Sequence, residues 1–238
     1  MKKGQLVKQT MSTTNRLLIA AGCSFTDQHP YNEWLTWPGI IANDHGMDLI
    51  NLGKGGASNS YIENVVTDAV LKYKDQDPII MVLWSQPLRV NVTDLGTVLR
   101  PHSIDEKVSW FDDPNDLESA YKVCHASLRS MWRTKNLVES YGIDYVHDIG
   151  LWNIPNDWPD NPRHTLGQIN DILNMIKNDW YFQNLDFTNS DIKTGIRRGY
   201  SQISKDDGHP DSKGQEWLAE IMINKYMNKF EQDTFVYD

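Results

Sequence analysis

Four short stretches of the chain are dense in apolar residues and lack the strict alternation of a half-buried strand. They cover residues 16–21, 47–52, 79–84 and 143–149. The purest are Leu17-Leu18-Ile19-Ala20-Ala21 and Ile79-Ile80-Met81-Val82-Leu83-Trp84. Runs of this length and composition suit strands buried on both faces of a parallel sheet. Between them the period changes. Ile62, Val65, Val66, Ala69 and Val70 recur at helical spacing, so a helix is predicted from Ser58 or Asn59 to about Tyr73. A shorter helix is predicted from Pro38 to Asn43 or His45, proline being favoured in the first turn. Further helices are predicted over residues 116–141, with Gly142 as the stop, over 168–180, and over 211–230 with Trp217, Leu218, Ile221 and Met222 facing inward. Residues 90–115 read as a surface excursion and 151–167, with three prolines and two tryptophans, as loop; 182–204 predicts no element. The β-α-β-α-β order at the start implies an α/β fold with a helix-covered parallel sheet.

Length and composition narrow this to one soluble domain. The 238 residues suffice for a single α/β core, and 39% apolar with 23% charged residues is ordinary for a globular protein. The expected organisation is a loose polar leader at residues 1–15 and one domain at 16–238. The 23 basic and 32 acidic residues leave a net charge of −9, which argues against nucleic acid as a partner. No apolar run is long enough to span a bilayer, and the first fifteen residues lack the apolar core of a signal peptide, so no membrane role and a cytoplasmic location are expected. Cys23 and Cys124 are the only cysteines, too few for a disulfide framework.

Candidate chemistry falls at three places that the predicted order brings to one edge of the sheet. Gly22-Cys23-Ser24-Phe25-Thr26 follows the first strand, Asn51-Leu52-Gly53-Lys54-Gly55-Gly56 follows the second, and Asp206-Asp207-Gly208-His209-Pro210 precedes the last helix. In open α/β sheets ligands bind beyond the carboxyl ends of the strands. Acyl transfer needs a nucleophile, a base and an acid that orients the base. Ser24, His209 and Asp206 supply those groups, and the backbone N–H groups of Ser24 and Gly56 are placed to receive an oxyanion. Each part also has a plainer reading: Ser24 as a helix cap, the glycine loop as a phosphate cradle, Asp206 as a solvated carboxylate.

The three blocks in this order resemble the SGNH (GDSL-like) hydrolases. Residues 22–26 resemble the first block of that family, with Cys23 where aspartate is common. Residues 51–56 resemble the second, Asn-x-Gly-x-x-Gly, and 206–209 the last, Asp-x-x-His. The resemblance implies a three-layer α/β/α sandwich with a flavodoxin-like parallel sheet of about five strands. It also implies Ser24 as nucleophile, Gly56 as oxyanion donor, and Asp206 and His209 as triad partners. The third block departs from the pattern: Trp84-Ser85-Gln86-Pro87 stands where Gly-x-Asn-Asp is usual. Gln86 is the expected substitute for the missing amide donor, with Ser85 and Asn59 as alternatives.

The implied activity is that of a serine esterase acting on a short acyl ester, with a small molecule or carbohydrate as substrate. A degenerate binding module and an O-acyltransferase are the alternatives. Trp34 and Trp158, in segments flanking the serine edge, and Asn59 are candidate substrate contacts, since aromatic rings stack on sugar faces. Cys23 reads as a structural cysteine. His125, His147 and His164 have no metal-ligand spacing, and neither metal nor other cofactor is expected.

Overall fold

The computed structural model describes residues 15–29, 33–85, 87, 117–149, 178–185, 201–203 and 209–231. Among these, four strands form one parallel sheet: β1 (Leu17–Gly22), β2 (Asp48–Asn51), β3 (Ile79–Trp84) and β4 (Asp144–Ile149), in the order β2-β1-β3-β4. Leu18 pairs with both Leu49 and Ile79, and Gly22 with Leu83. The helices are α1 (Trp37–His45), α2 (Asn59–Tyr73), α3 (Leu117–Ser140), the one-turn α4 (Trp180–Gln183) and α5 (Ser212–Tyr226), the last continuing as a wider turn over Met227–Glu231.

The layering follows from handedness. The crossover from β1 to β2 moves one way across the sheet and that from β2 to β3 moves the other way. Right-handed crossovers therefore set α1 and α2 on opposite faces. α1 packs with α5, and α2 packs with α3. Every residue of β1 and β3 is buried, which is why their sequences are unbroken apolar runs. β2 differs from the buried strand that its composition suggests. It lies at the edge of the described sheet, with Asp48 exposed and Leu49 37% exposed.

Local chemistry sets the helix ends. Ser58 accepts the N–H of Tyr61 at the start of α2, and Asp211 accepts that of Gly214 at the start of α5. Gly46 and Gly142 follow α1 and α3 in the left-handed region, at φ 61° and 67°. Asp179 caps α4 and also accepts from Tyr121 Oη at 2.9 Å and contacts His125 Nδ1 at 2.5 Å, which fastens α4 to α3. The predicted excursion at 90–115, the loop at 151–167 and nearly all of the predicted helix at 168–180 lie outside the described residues.

Two polar clusters lock the sheet to α5. At the amino edge Arg16 donates to Asp144 Oδ2 at 2.6 Å and to Tyr226 Oη at 2.5 Å. On β4, the fully buried Asp148 pairs with Lys225 at 2.5 Å. Its neighbour His147 accepts from Trp84 Nε1 at 3.3 Å and stacks on Tyr145, with ring centres 5.0 Å apart. Burial, reinforced by Lys225, Lys135 and Lys229, pushes the His147 pKa down to about 3, so this imidazole is neutral.

Candidate active site

The sheet order places a switch between β1 and β3, since the chain leaves β1 toward β2 and returns to β3 on the other side. Ligand crevices form at such points, beyond the carboxyl ends of the strands. Ser24 lies two residues past the last paired position of β1. The carbonyl of Cys23 accepts from both Thr26 and Asp27 N–H at 3.0 Å, which closes a tight turn around the serine. Cys23 is fully buried, while Ser24 on the same turn is half-buried. Burial also pushes the Cys124 thiol up to about 12, so it carries no thiolate at neutral pH. A side chain at position 22 has no room: its Cβ would press on the Thr26 side chain and stand 2.8 Å from the Leu83 carbonyl.

Ser24 Oγ and His209 Nε2 are 2.9 Å apart, although 185 positions separate them in sequence. Several contacts hold the histidine there. Its carbonyl accepts Ile203 N–H at 3.0 Å, and its ring meets Phe25 edge-on at 5.7 Å. Asp211, two residues on, accepts from Ser201 Oγ at 2.6 Å, a bond that is the main reason its pKa lies below the usual carboxylate value. Gln215, in the first turn of α5, is fully buried. Its Oε1 accepts Trp37 N–H at 2.8 Å and its Nε2 donates to the Phe25 carbonyl at 3.2 Å. That one side chain ties the serine turn, α1 and the helix behind His209 together.

The glycine loop after β2 is held on the serine turn almost amide by amide. Gly53 N–H donates to Asn51 Oδ1 at 2.9 Å, Lys54 N–H to the Gly22 carbonyl at 3.1 Å, Gly55 N–H to Asp27 Oδ2 at 2.7 Å and Ala57 N–H to the Lys54 carbonyl at 3.0 Å. Asn51 Nδ2 in turn donates to the Thr26 carbonyl at 2.7 Å. Within this row the Gly56 N–H alone has no acceptor among the described residues, and the Ser24 N–H has none there either. Gly56 takes a left-handed conformation, φ 77°, which favours glycine. It lies just ahead of α2, a 15-residue helix whose positive end faces this edge. Two N–H groups without an acceptor among the described residues thus lie on the loops that follow β1 and β2, one of them on Ser24 itself.

The other candidates fall as follows. Asn59 is fully buried, and its amide meets the backbone of Ser85 in both directions: Oδ1 accepts Ser85 N–H at 2.9 Å and Nδ2 donates to its carbonyl at 3.1 Å. It therefore joins the start of α2 to the end of β3. The Ser85 hydroxyl is buried and has no hydrogen-bond partner among the described residues. Trp34 is half-buried, and its carbonyl accepts from Gln28 Nε2 at 2.9 Å. Trp37, from the same aromatic segment, is a core residue with 0% exposure, its Nε1 donating to Thr26 Oγ1 at 3.2 Å. Asp206, Gln86 and Trp158 lie outside the described residues. Among the described residues no cluster of three or more His, Cys, Asp or Glu could hold a metal ion, and no helix is long and apolar enough to cross a membrane. Gln215 and Asp27 had no signal in the sequence beyond being polar residues beside the motifs.

No protein-family model and no curated protein matches the chain in sequence. Solved structures do match it. TesA superposes with a TM-score of 0.52 at 12% identity, over 90% of this chain and 99% of its own. A GDSL-like lipase from Bacteroides thetaiotaomicron gives 0.49 at 11% identity, over 90% of this chain and 89% of its own. A catalytic mutant of Axe2, an acetylxylan esterase from Geobacillus stearothermophilus, gives 0.45 at 12% identity, over 89% and 94%. The likeness to TesA is one of fold, and it agrees with the strand order and helix layers above: the chain is built on the same α/β plan as TesA, a parallel sheet covered by helices.

Proposed function

We propose that the protein is a serine ester hydrolase. The observation that carries this reading is the 2.9 Å approach of Ser24 Oγ to His209 Nε2 at the switch point of the sheet. In the proposed reaction Ser24 Oγ attacks the acyl carbon and its proton passes to His209 Nε2. The N–H groups of Ser24 and Gly56 take the carbonyl oxygen as it becomes an oxyanion, and Asp206 orients the imidazole. Collapse expels the alkoxide, which takes the proton from His209, and water repeats the sequence on the acyl-enzyme. Gln86, or the buried hydroxyl of Ser85, is the third donor. The experiment is labelling with an organophosphonate serine probe. Label is expected on the parent protein, none on Ser24→Ala, and full label on Cys23→Ala. Label that follows Cys23 would make this a cysteine enzyme.

The substrate proposed is a short acyl ester of a hydroxyl-rich alcohol such as a carbohydrate. Segments 27–37 and 151–167 mix aromatics with Asn, Asp, Glu, His and Pro and contain no run of Leu, Ile and Val. Each buried methylene of a long acyl chain contributes about 0.8 kcal/mol only where an apolar wall receives it. Across p-nitrophenyl esters from acetate to dodecanoate, kcat/KM is expected to fall as the chain lengthens. A maximum at the long end would indicate a lipase. No turnover in the series, together with no phosphonate label, would favour a binding module. Turnover that requires an added sugar would favour an O-acyltransferase.

A further inference from the structure

We infer that Asp27 is a positioning residue for the oxyanion site: its carboxylate fixes the loop that presents the Gly56 N–H. The inference rests on the serine-hydrolase reading and adds to it a group with no place in the triad. Asp27 closes the turn that carries Ser24, its own N–H donating to the Cys23 carbonyl at 3.0 Å. Its side chain spans to the other loop. Oδ2 accepts Gly55 N–H at 2.7 Å, one residue before Gly56, while Oδ1 accepts His29 N–H at 3.0 Å. One short carboxylate thus connects the turn of the nucleophile to the loop of the proposed donor.

The packing beneath this bridge is close. A Cβ at Gly53 would stand 2.6 Å from both Asp27 N and Thr26 C, so the loop lies backbone on backbone against the turn. A Cβ at Gly55 would instead meet Asp27 Oδ2 at 3.5 Å, an ordinary contact. Position 53 therefore fixes how near the loop comes, and the Asp27–Gly55 bond fixes how its far end is rotated. The charge of Asp27 reaches Tyr61, whose pKa is raised by burial first and by Asp27 second, and Lys54 sits 4.9 Å over the same ring. A lysine, a tyrosine and the carboxylate thus gather at the loop, while the Gly56 N–H has no acceptor among the described residues. Asp27 acts through its acceptor geometry: a negative charge beside an oxyanion opposes catalysis, so its benefit is orientation of the loop.

Donors aimed at the oxyanion act in the transition state, so losing their aim lowers kcat more than it raises KM. Asp27→Ala is expected to lower kcat on p-nitrophenyl acetate by about 10- to 100-fold, with KM within about threefold, since a misplacement near 1 Å costs on that order. Asp27→Asn keeps an acceptor for Gly55 and is expected to restore kcat to within about fivefold of the parent, which a role for the charge would not allow. Amide hydrogen exchange supplies a readout apart from turnover: Lys54 and Gly55, whose N–H groups are bonded to the serine turn, should lose protection in Asp27→Ala and keep it in Asp27→Asn. Lost protection with unchanged kcat, or an equal fall of kcat in both variants, would overturn the inference. A parent protein with neither phosphonate label nor turnover would overturn the serine reading beneath it, and the exchange data would then show a loop clamp without a catalytic role.

Discussion

His209→Ala is expected to lower kcat on a short ester by roughly 10⁴- to 10⁶-fold, the range seen when a triad base is removed. The serine would keep its place, because the Cys23 turn and the Gln215 bridge do not involve the imidazole. Its oxygen would have no proton acceptor at 2.9 Å, and attack would fall to the rate of an ordinary alcohol. KM should change little, since the loss is in the transition state. The same assay separates the two adjacent carboxylates. Asp206→Ala is expected to cost on the order of 10⁴-fold and Asp207→Ala no more than a few-fold, because only the member of the pair that orients the imidazole is coupled to the reaction. Equal, small effects at both positions would remove the acid from the proposed triad.

Acid should destabilise the fold through a histidine outside the site. His147 is neutral when folded, with a pKa near 3, and returns to its ordinary value near 6.5 when unfolded. Below pH 6.5 the unfolded chain therefore binds a proton that the folded chain refuses. The contribution of this group is complete above pH 6.5 and is lost as pH falls toward 3. The slope is about 1.4 kcal/mol per pH unit, and the loss levels off at about 5 kcal/mol below pH 3. That is a large part of the 5–15 kcal/mol typical of a domain. Urea unfolding at a series of pH values measures it. In His147→Gln, whose amide can still accept the Trp84 N–H, the limb between pH 6.5 and 3 should flatten by about one proton. An unchanged limb would assign the acid sensitivity to other groups.

What the sequence shows and what it hides divide along physical lines. β1 and β3 are legible because strands buried on both faces tolerate only apolar residues; the bounds of β3 appear directly as a run, and those of β1 to within one residue. The starts of α2 and α5 are legible because caps are local, and Ser58 and Asp211 announce them. The exposure of β2 is hidden because an edge strand and a central one can share a composition. Trp37 is hidden because an aromatic in a polar segment reads as loop until a donor is found for its ring, here Thr26 Oγ1. The serine–histidine pair could be named from two motifs, yet Gln215 and Asp27, which hold the surrounding backbone, could not. Their partners are carbonyl and N–H groups, which every residue carries and no motif records.

The pairing of Ser24 with His209 also has a consequence for biosynthesis. At about 5–20 residues per second, a ribosome that has made the serine takes on the order of 10–40 s to make its partner 185 positions later. Through that interval β1, β2 and β3 can assemble with their two crossover helices, so Ser24 and the glycine loop can stand in place before His209 exists. On the proposed reading, Ser24 would gain its base only when α5 docks and Gln215 closes on Phe25. A chain terminated before His209 would on that reading lack the base and is expected to give no turnover of a short ester.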